Sequence, residues 1–176
     1  IACCVTTEAV FDLFKSDPSD KLDHFRDIST FGGCTGGPAA ALENMRIIED
    51  EGLLENCTAM GERFMGNLQA LMEKHAVIGD VRGKGLLLAF ELVSDRMTME
   101  PLPKSLNAFN RLVDIAYDKV LIIYSRRTRG GLSGDHFLVC PPMIVTEDGI
   151  DEIMDKLTAA LDDFAGEAGL DRDSAA

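Results

Sequence analysis

The run from Ser29 to Pro38 is rich in glycine and carries residue types that can bind an anion. Glycines at positions 32, 33, 36 and 37 permit positive φ and close backbone approach, so successive N–H groups can turn toward one anion. Pro38 suits the first position of a helix whose N-terminal dipole favours negative charge, and Thr30 and Thr35 add hydroxyls. The spacing is neither a Walker loop nor a dinucleotide GxGxxG. Two interpretations stay open: a phosphate-binding loop, or a structural turn that merely uses glycine.

The elements around this loop are predicted from hydrophobic periodicity. Ile1 to Val5 has the pattern of a buried strand, and a short helix is expected from Thr7 to Phe14. A helix is predicted from Pro38 onward, with Gly52 interrupting it, and Leu53 to Lys74 continues at helical spacing. The glycine-rich run therefore lies at the start of a long helical stretch.

The remaining hundred residues alternate between helix and strand periods, which predicts a small α+β unit. In chain order we expect a glycine-punctuated turn over 77–85, a strand over 86–93, a loop over 98–105, a helix over 107–117, a strand over 121–124, a basic loop over 125–135, a strand over 136–140, a helix from Thr146 and a frayed tail over 166–176.

Composition limits the classes of function. The 176 residues carry 30 acidic and 17 basic side chains, and the net charge of −13 argues against nucleic-acid and membrane partners. The five cysteines and three histidines lack zinc-ligand spacing, so no metal site is expected, and reduced thiols favour a cytoplasmic protein. Neither a signal peptide nor a membrane span is recognisable. Because the chain begins without methionine and in mid-strand, we expect a fragment or the ordered remainder of a longer protein.

Four segments together resemble a known family. They are STFGGCTGGPAAALENMRIIEDEGL, IGDVRGKGLLLAFELV, LIIYSRR and HFLVCPPMIVTEDGIDEIMDKL, which begin at residues 29, 78, 121 and 136. In order and spacing they resemble the C-terminal part of class III pyridoxal-phosphate-dependent aminotransferases, omega-amino-acid:pyruvate branch, over nearly the whole chain. The resemblance implies an α/β protein of fold type I. Residues 1–74 would be the end of the large cofactor domain with a long connecting helix, and residues 75–176 the small α+β domain.

The resemblance also implies site residues. Thr30 falls on the family threonine that contacts the cofactor phosphate of the neighbouring subunit, with Phe31 beside it, which implies a homodimer sharing its sites. Many relatives have His-Pro where this chain has Cys34-Thr35. Related enzymes commonly bind the substrate carboxylate through an arginine where this chain has Tyr124, which makes Tyr124 a candidate substrate-binding residue. Arg126, Arg127 and Arg129 follow, and either one of them binds the carboxylate or all belong to a solvated basic loop.

The lysine that must link covalently to the cofactor is missing from this chain. In the family it lies shortly before the strand that opens this sequence, and Lys84 belongs to the small-domain turn, so no catalytic residue is assigned. The resemblance implies that the complete protein moves an amino group from an omega-amino acid or amine, such as taurine or beta-alanine, to pyruvate. Alternatives are an aminomutase or decarboxylase of the same class, or a non-catalytic α+β interaction module.

Overall fold

The computed structural model describes residues 2–15, 19, 29–128 and 133–170. The chain divides into two compact units, Ile1–Glu51 and Gly52–Ala176. The domain division predicted for the complete protein, with residues 1–74 in the large domain and residues 75–176 in the small one, stays a prediction. Within the described residues, no helix is both long and apolar enough to span a bilayer.

The first unit contains two helices, α1 (Glu8–Asp12) and α2 (Gly36–Asp50), and neither of them buries a residue. Arg46 forms ion pairs with Glu43 and Asp50 along the exposed surface of α2. The strand predicted for Ile1 to Val5 is wrong for the described residues 2–5, which are exposed and irregular. A strand requires hydrogen-bonding partners as well as an apolar pattern, and none of the described residues pairs with this segment. Ile1 lies outside the described residues.

The second unit consists of three helices and an antiparallel sheet. Its elements are α3 (Leu53–Lys74), β1 (Ile78–Lys84), β2 (Leu87–Asp95), β3 (Glu100–Pro101), a 3₁₀ turn (Lys104–Leu106), α4 (Ala108–Asp118), β4 (Tyr124–Thr128), β5 (Ser133–Val139) and α5 (Glu147–Ala168). The strand order is β1-β2-β5-β4, with β3 added beside β2. Because β5 pairs with both β2 and β4, residues nearly fifty positions apart become neighbours across the sheet.

The core lies between the sheet and the three helices. Alternate residues of β2 point inward, and Leu88, Phe90 and Leu92 are all buried. Phe90 stacks on Phe137 of β5, with ring centroids 5.1 Å apart. The buried stripe of α3 includes Phe64, and α4 and α5 also bury apolar residues along one side of the helix. The helical layer therefore leaves the opposite face of the sheet free for polar side chains.

The C-terminal end of α3 is held by a side chain from a later part of the chain. The guanidinium of Arg96 donates to the carbonyls of Met72 and His75 at the end of α3 and to that of Ile78 in β1, at 2.6, 2.8 and 2.9 Å. These carbonyls lie at or just beyond a helix C-terminus, where partners are lacking within the helix. Arg96 thus caps α3 and ties it to the first hairpin.

The end of α4 uses a conformation that is normally reserved for glycine. Val120 has φ of 60°, a strained value for a β-branched residue. Its N–H donates to the carbonyl of Tyr117 at 2.9 Å, and the N–H of Leu121 donates to that of Ala116 at 2.9 Å. This pair of bonds is the Schellman pattern that ends helices, with valine in the place of the usual glycine. The strained turn leads directly into the segment before β4.

Two of the predicted loops and one predicted strand are wrong. Residues 78–84 form β1 and pair with β2 in a hairpin, where a turn was expected. The strand expected over 121–124 is an irregular segment as far as residue 123, and β4 begins at Tyr124. The basic loop expected over 125–135 is largely a hairpin of β4 and β5. Serine, arginine and glycine have weak strand preference, so these strands depend on their pairing partners.

The loop predicted over 98–105 contains the short strand β3 and the start of the 3₁₀ turn, and the limits of the remaining elements shift by only a few residues. The α2 helix begins at Gly36, two residues before Pro38, and α4 and α5 begin close to where they were expected. The α5 helix extends to Ala168, so the frayed tail does not begin at residue 166. Residues 171–176 lie outside the described part.

Candidate functional site

The glycine-rich run forms an exposed turn that leads into α2. The N–H of Gly32 donates to the carbonyl of Ser29 at 3.0 Å, and that of Cys34 donates to the carbonyl of Phe31 at 3.1 Å. Gly33 has φ of +80°, which only glycine adopts without strain. A Cβ built on Gly32 would lie 3.1 Å from the Ser29 hydroxyl, tighter than ordinary contact. The turn is therefore compact: it favours glycine at 33 through its φ and leaves little room for a side chain at 32.

Donor groups are available at the start of α2. Thr35 occupies the N-cap position, but its side chain makes no capping hydrogen bond. The N–H groups of Gly36 and Gly37 belong to the first turn, where a helix offers no internal acceptor. Both Thr30 and Phe31 are exposed in the turn, Phe31 by 84%. Small side chains, open N–H groups and a nearby hydroxyl fit a phosphate group in size and polarity.

In the second unit, Tyr124 and Arg126 lie on the same face of β4. Both are exposed, and the guanidinium carbon of Arg126 lies 4.8 Å from the centroid of the Tyr124 ring. Across the strands, Arg126 is paired with His136, which is paired in turn with Glu91. Within the described part of the chain, Arg126 makes no ion pair and donates no hydrogen bond. Its charge is therefore available to an external carboxylate.

Arg127, in contrast to Arg126, is mostly buried and ion-paired. Its Nε donates to Oδ1 of Asp135 at 2.7 Å, and its guanidinium carbon lies 4.1 Å above the ring centroid of Phe109 in α4. The side chains of Arg127 and Asp135 are only 18% and 6% exposed. Arg127 is thus engaged inside the protein, whereas Arg129 lies outside the described residues.

The acidic residues nearest to Arg126 on the outer face are engaged elsewhere. Glu91 lies 3.0 Å from Nη1 of Arg82, and the same nitrogen lies 2.5 Å from Asp80. The hydrogen bond to Asp80, and then that to Glu91, raises the pKa of Arg82. His136 faces the carbonyl of Gly134 at 3.1 Å through Nδ1. These contacts leave no described carboxylate to neutralise Arg126.

Lys84 lies at the exposed end of β1, beside a cleft of about 390 Å³. Cys57, Gly61 and Met65 of α3 form one wall of the cleft, and the hairpin turn forms the other. The helix and the turn approach so closely that a Cβ on Gly61 would lie 2.5 Å from the carbonyl oxygen of Gly85. This contact explains the glycine at 61, whereas Gly83 and Gly85 both have positive φ, of 142° and 55°, so backbone conformation explains the Gly-Lys-Gly pattern.

Among the described residues, no group of three or more His, Cys, Asp and Glu side chains is arranged to hold a metal ion. The five cysteines have free thiols. The structure brings together Tyr124 and Arg126, and it holds Thr30 and Phe31 in one turn of the other unit. Sequence analysis missed Asp135 and Phe109, the partners of Arg127. Alternation of side chains between the two faces of β4 and β5 would have indicated these partners, but most of this segment was expected to be a loop.

Comparison with known proteins places these features in one family. The family Aminotransferase class-III matches residues 1–161. The chain is 56% identical over 161 residues to the taurine–pyruvate aminotransferase of Rhodobacter capsulatus, and 54% identical over 162 residues to the hypotaurine/taurine–pyruvate aminotransferase of Paracoccus denitrificans. Each match covers 92% of this chain and 35% of the relative, so the chain spans about a third of the relatives' length.

Solved structures agree with the sequence relatives. An aminotransferase of Bacillus anthracis is 32% identical, with a TM-score of 0.75, and the match covers 89% of this chain and 34% of that one. A PLP-bound aminotransferase mutant of Vibrio fluvialis is 33% identical, with a TM-score of 0.72, and the match covers 83% and 30%. The predicted fold class, part of an α/β transferase of fold type I, is confirmed. The chain belongs to the class III aminotransferase family.

Proposed function

We propose that the complete protein transfers an amino group from an omega-amino donor of the taurine type to pyruvate, with pyridoxal 5'-phosphate as cofactor. The observation that carries this proposal is the identity of 56% and 54% to two relatives named for taurine and pyruvate, over nearly all of the chain. Because the chain spans about a third of those relatives, the activity is proposed for the full-length enzyme. The Schiff-base lysine is expected in the rest of that enzyme.

Thr30 and its turn would hold the cofactor phosphate. The open N–H groups at the start of α2 and the exposed Thr30 hydroxyl supply donors, and Gly32 and Gly33 keep the turn free of side chains. When bound, the cofactor supplies an aldehyde that exchanges amino groups and a ring that withdraws electrons. The residues of this turn would orient that group, with Phe31 beside it.

Arg126 would bind the carboxylate of the keto acid. A guanidinium can grip a carboxylate through two parallel hydrogen bonds, and Arg126 is exposed without an anionic partner among the described residues. Tyr124, stacked beside it, would limit the directions that the guanidinium can take. Arg127 is already engaged, and Arg129 stays a candidate without a described position.

We further propose that the enzyme acts as a cytoplasmic homodimer in which each Thr30 faces the partner's cofactor. The free thiols suit a reducing compartment. The apolar side chains of Leu42 and Met45 on α2 are exposed, which leaves a helix face for another surface to cover.

The activity is tested by incubating the purified full-length enzyme with taurine and pyruvate and measuring alanine. Formation of alanine with consumption of taurine supports the proposal, and its absence with every omega-amino donor tried refutes it. Release of carbon dioxide, or migration of the amino group within one substrate, would favour the decarboxylase or aminomutase alternative.

Cofactor binding is tested at Thr30. We expect Thr30→Val to weaken cofactor binding roughly tenfold, since a hydrogen bond to a charged group is lost. Thr30→Ser is the matched control, because it keeps the hydroxyl and should bind nearly as well as wild type. Cofactor retained after dialysis, measured by absorbance, reports binding independently of turnover. Equal retention by Val and Ser variants would exclude a role for the hydroxyl.

A further inference from the structure

Arg126 and Arg127 are neighbours in the sequence, yet their side chains lie on opposite faces of β4. Successive residues of a strand point to opposite sides, so fixing one side chain also fixes the direction of the next. Arg127 points toward α4, where it meets the ring of Phe109. Arg126 therefore points to the outer face, where it lies beside Tyr124.

The partner of Arg127 lies directly opposite on β5. Arg127 and Asp135 are register partners, and their side chains join at 2.7 Å in a mostly buried position. Breaking a buried ion pair leaves an unpaired charge, so this alignment is strongly preferred over others. The ring of Phe109 covers the guanidinium and adds a cation–π contact.

This ion pair occupies the point where the ladder becomes irregular. The register shifts between Arg127 and Thr128, immediately after the pair. A slip of one residue would reverse the direction of every side chain in β4, so that Arg127 would face outward and Arg126 inward. Few other groups on this short strand resist such a slip, because Tyr124 and Arg126 are themselves exposed.

We propose that Arg127 and Asp135, with Phe109, are positioning residues that fix the register of β4 so that Arg126 is presented to the carboxylate of the keto acid. This proposal rests on the proposed function, and in particular on the role of Arg126. Arg127 makes no contact with substrate and acts only through its neighbour. The two adjacent arginines therefore have different functions.

The test is a double-mutant cycle in the full-length holoenzyme, with the KM for pyruvate as readout. Arg126→Gln should raise this KM at least tenfold, as expected when a charged hydrogen bond is lost. Arg127→Met keeps an apolar contact for Phe109 and should raise the KM roughly five- to tenfold, with kcat at saturation changed less than twofold. In the Arg126→Gln background, Arg127→Met should produce no further rise.

Matched variants separate positioning from general destabilisation. Arg63→Met removes an ion pair to Asp151 of similar length, 2.8 Å, between α3 and α5, which is more exposed than the Arg127 pair, and it should leave the KM for pyruvate unchanged. If Arg127→Met fails to fold, Asp135→Asn is the alternative, because it keeps the shape and an acceptor oxygen while removing the charge. It should raise the KM about two- to fivefold.

Each outcome decides between the explanations. If Arg126→Gln leaves the KM unchanged, the proposed role of Arg126 is refuted. Arg127 then has no substrate-binding residue to position. If Arg126→Gln raises the KM but Arg127→Met lowers only the melting temperature, Arg127 is structural and the positioning proposal is wrong. If the two effects multiply in the double variant, Arg127 reaches the substrate itself and the proposal is also overturned.

Discussion

Replacing Gly61 by alanine tests how closely α3 approaches the first hairpin. The added Cβ would lie 2.5 Å from the carbonyl oxygen of Gly85, and 2.6 Å from both its carbonyl carbon and its Cα. All three are backbone atoms, so no side chain can rotate away. Gly85 itself has φ of +55°, which restricts how the turn can adjust. The helix and the turn must separate by about 1 Å to restore ordinary contact.

The expected cost follows from two opposing terms. Overpacking of this kind costs about 1–3 kcal/mol. Alanine in place of glycine within a helix gains about 1 kcal/mol. Gly61→Ala should therefore lower the free energy of unfolding by up to about 2 kcal/mol.

Gly66 provides the control on the same helix. A Cβ there would meet nothing within 4 Å, so Gly66→Ala should gain the propensity term alone and stabilise the protein. The free energies of unfolding of the two variants should differ by about 1–3 kcal/mol, with Gly66→Ala above wild type and Gly61→Ala below it. Urea unfolding followed by circular dichroism measures this difference. If Gly61→Ala is as stable as Gly66→Ala, then α3 and the hairpin are not in backbone contact, and the steric reasoning is refuted.

Three further predictions concern stability. Val120→Gly should raise the free energy of unfolding by about 1 kcal/mol, because it relieves a β-branched residue in the left-handed region; a lowered urea midpoint would contradict the assigned strain. Arg96→Ala should lower the free energy of unfolding by about 2–3 kcal/mol through loss of its carbonyl contacts, while Arg46→Ala on exposed α2 should change it little; equal losses would show that the cap is unimportant. The hydrogen bond from Arg111 lowers the pKa of Glu167 from 4.5, so its contribution is present above that value and is lost as pH falls through the lower, folded-state pKa. Stability measured against pH should fall less in this acid range for Arg111→Gln, and an unchanged profile would exclude the pair as a contributor.

The helices could be predicted from the sequence because their determinants are local. The α3 and α5 segments carry apolar residues at three- and four-residue steps, and Thr146 caps α5 by accepting from the N–H of Gly149. The glycine-rich turn was likewise predicted from residue type alone, since Gly33 supplies a positive φ. The family followed from the order and spacing of four such segments.

The strands β1 and β4 could not be predicted in the same way. Their sequences, with glycine at 79 and 83 and with Ser125 between polar neighbours, have little intrinsic strand preference. Each becomes a strand because a partner lies beside it, β2 for β1 and β5 for β4. The predicted strand at the beginning of the chain was wrong for the converse reason, since its apolar pattern has no partner among the described residues.

By itself, the sequence determined the family, the helices and the short set of residues from which a site could be built. From the sequence, the adjacent residues Arg126 and Arg127 were equally good candidates for binding the substrate carboxylate. Only the tertiary structure distinguished them, because Asp135 and Phe109 come from other elements and bury one guanidinium while the strand turns the other outward. The difference between two adjacent arginines thus depends on contacts across the fold, which no local pattern contains.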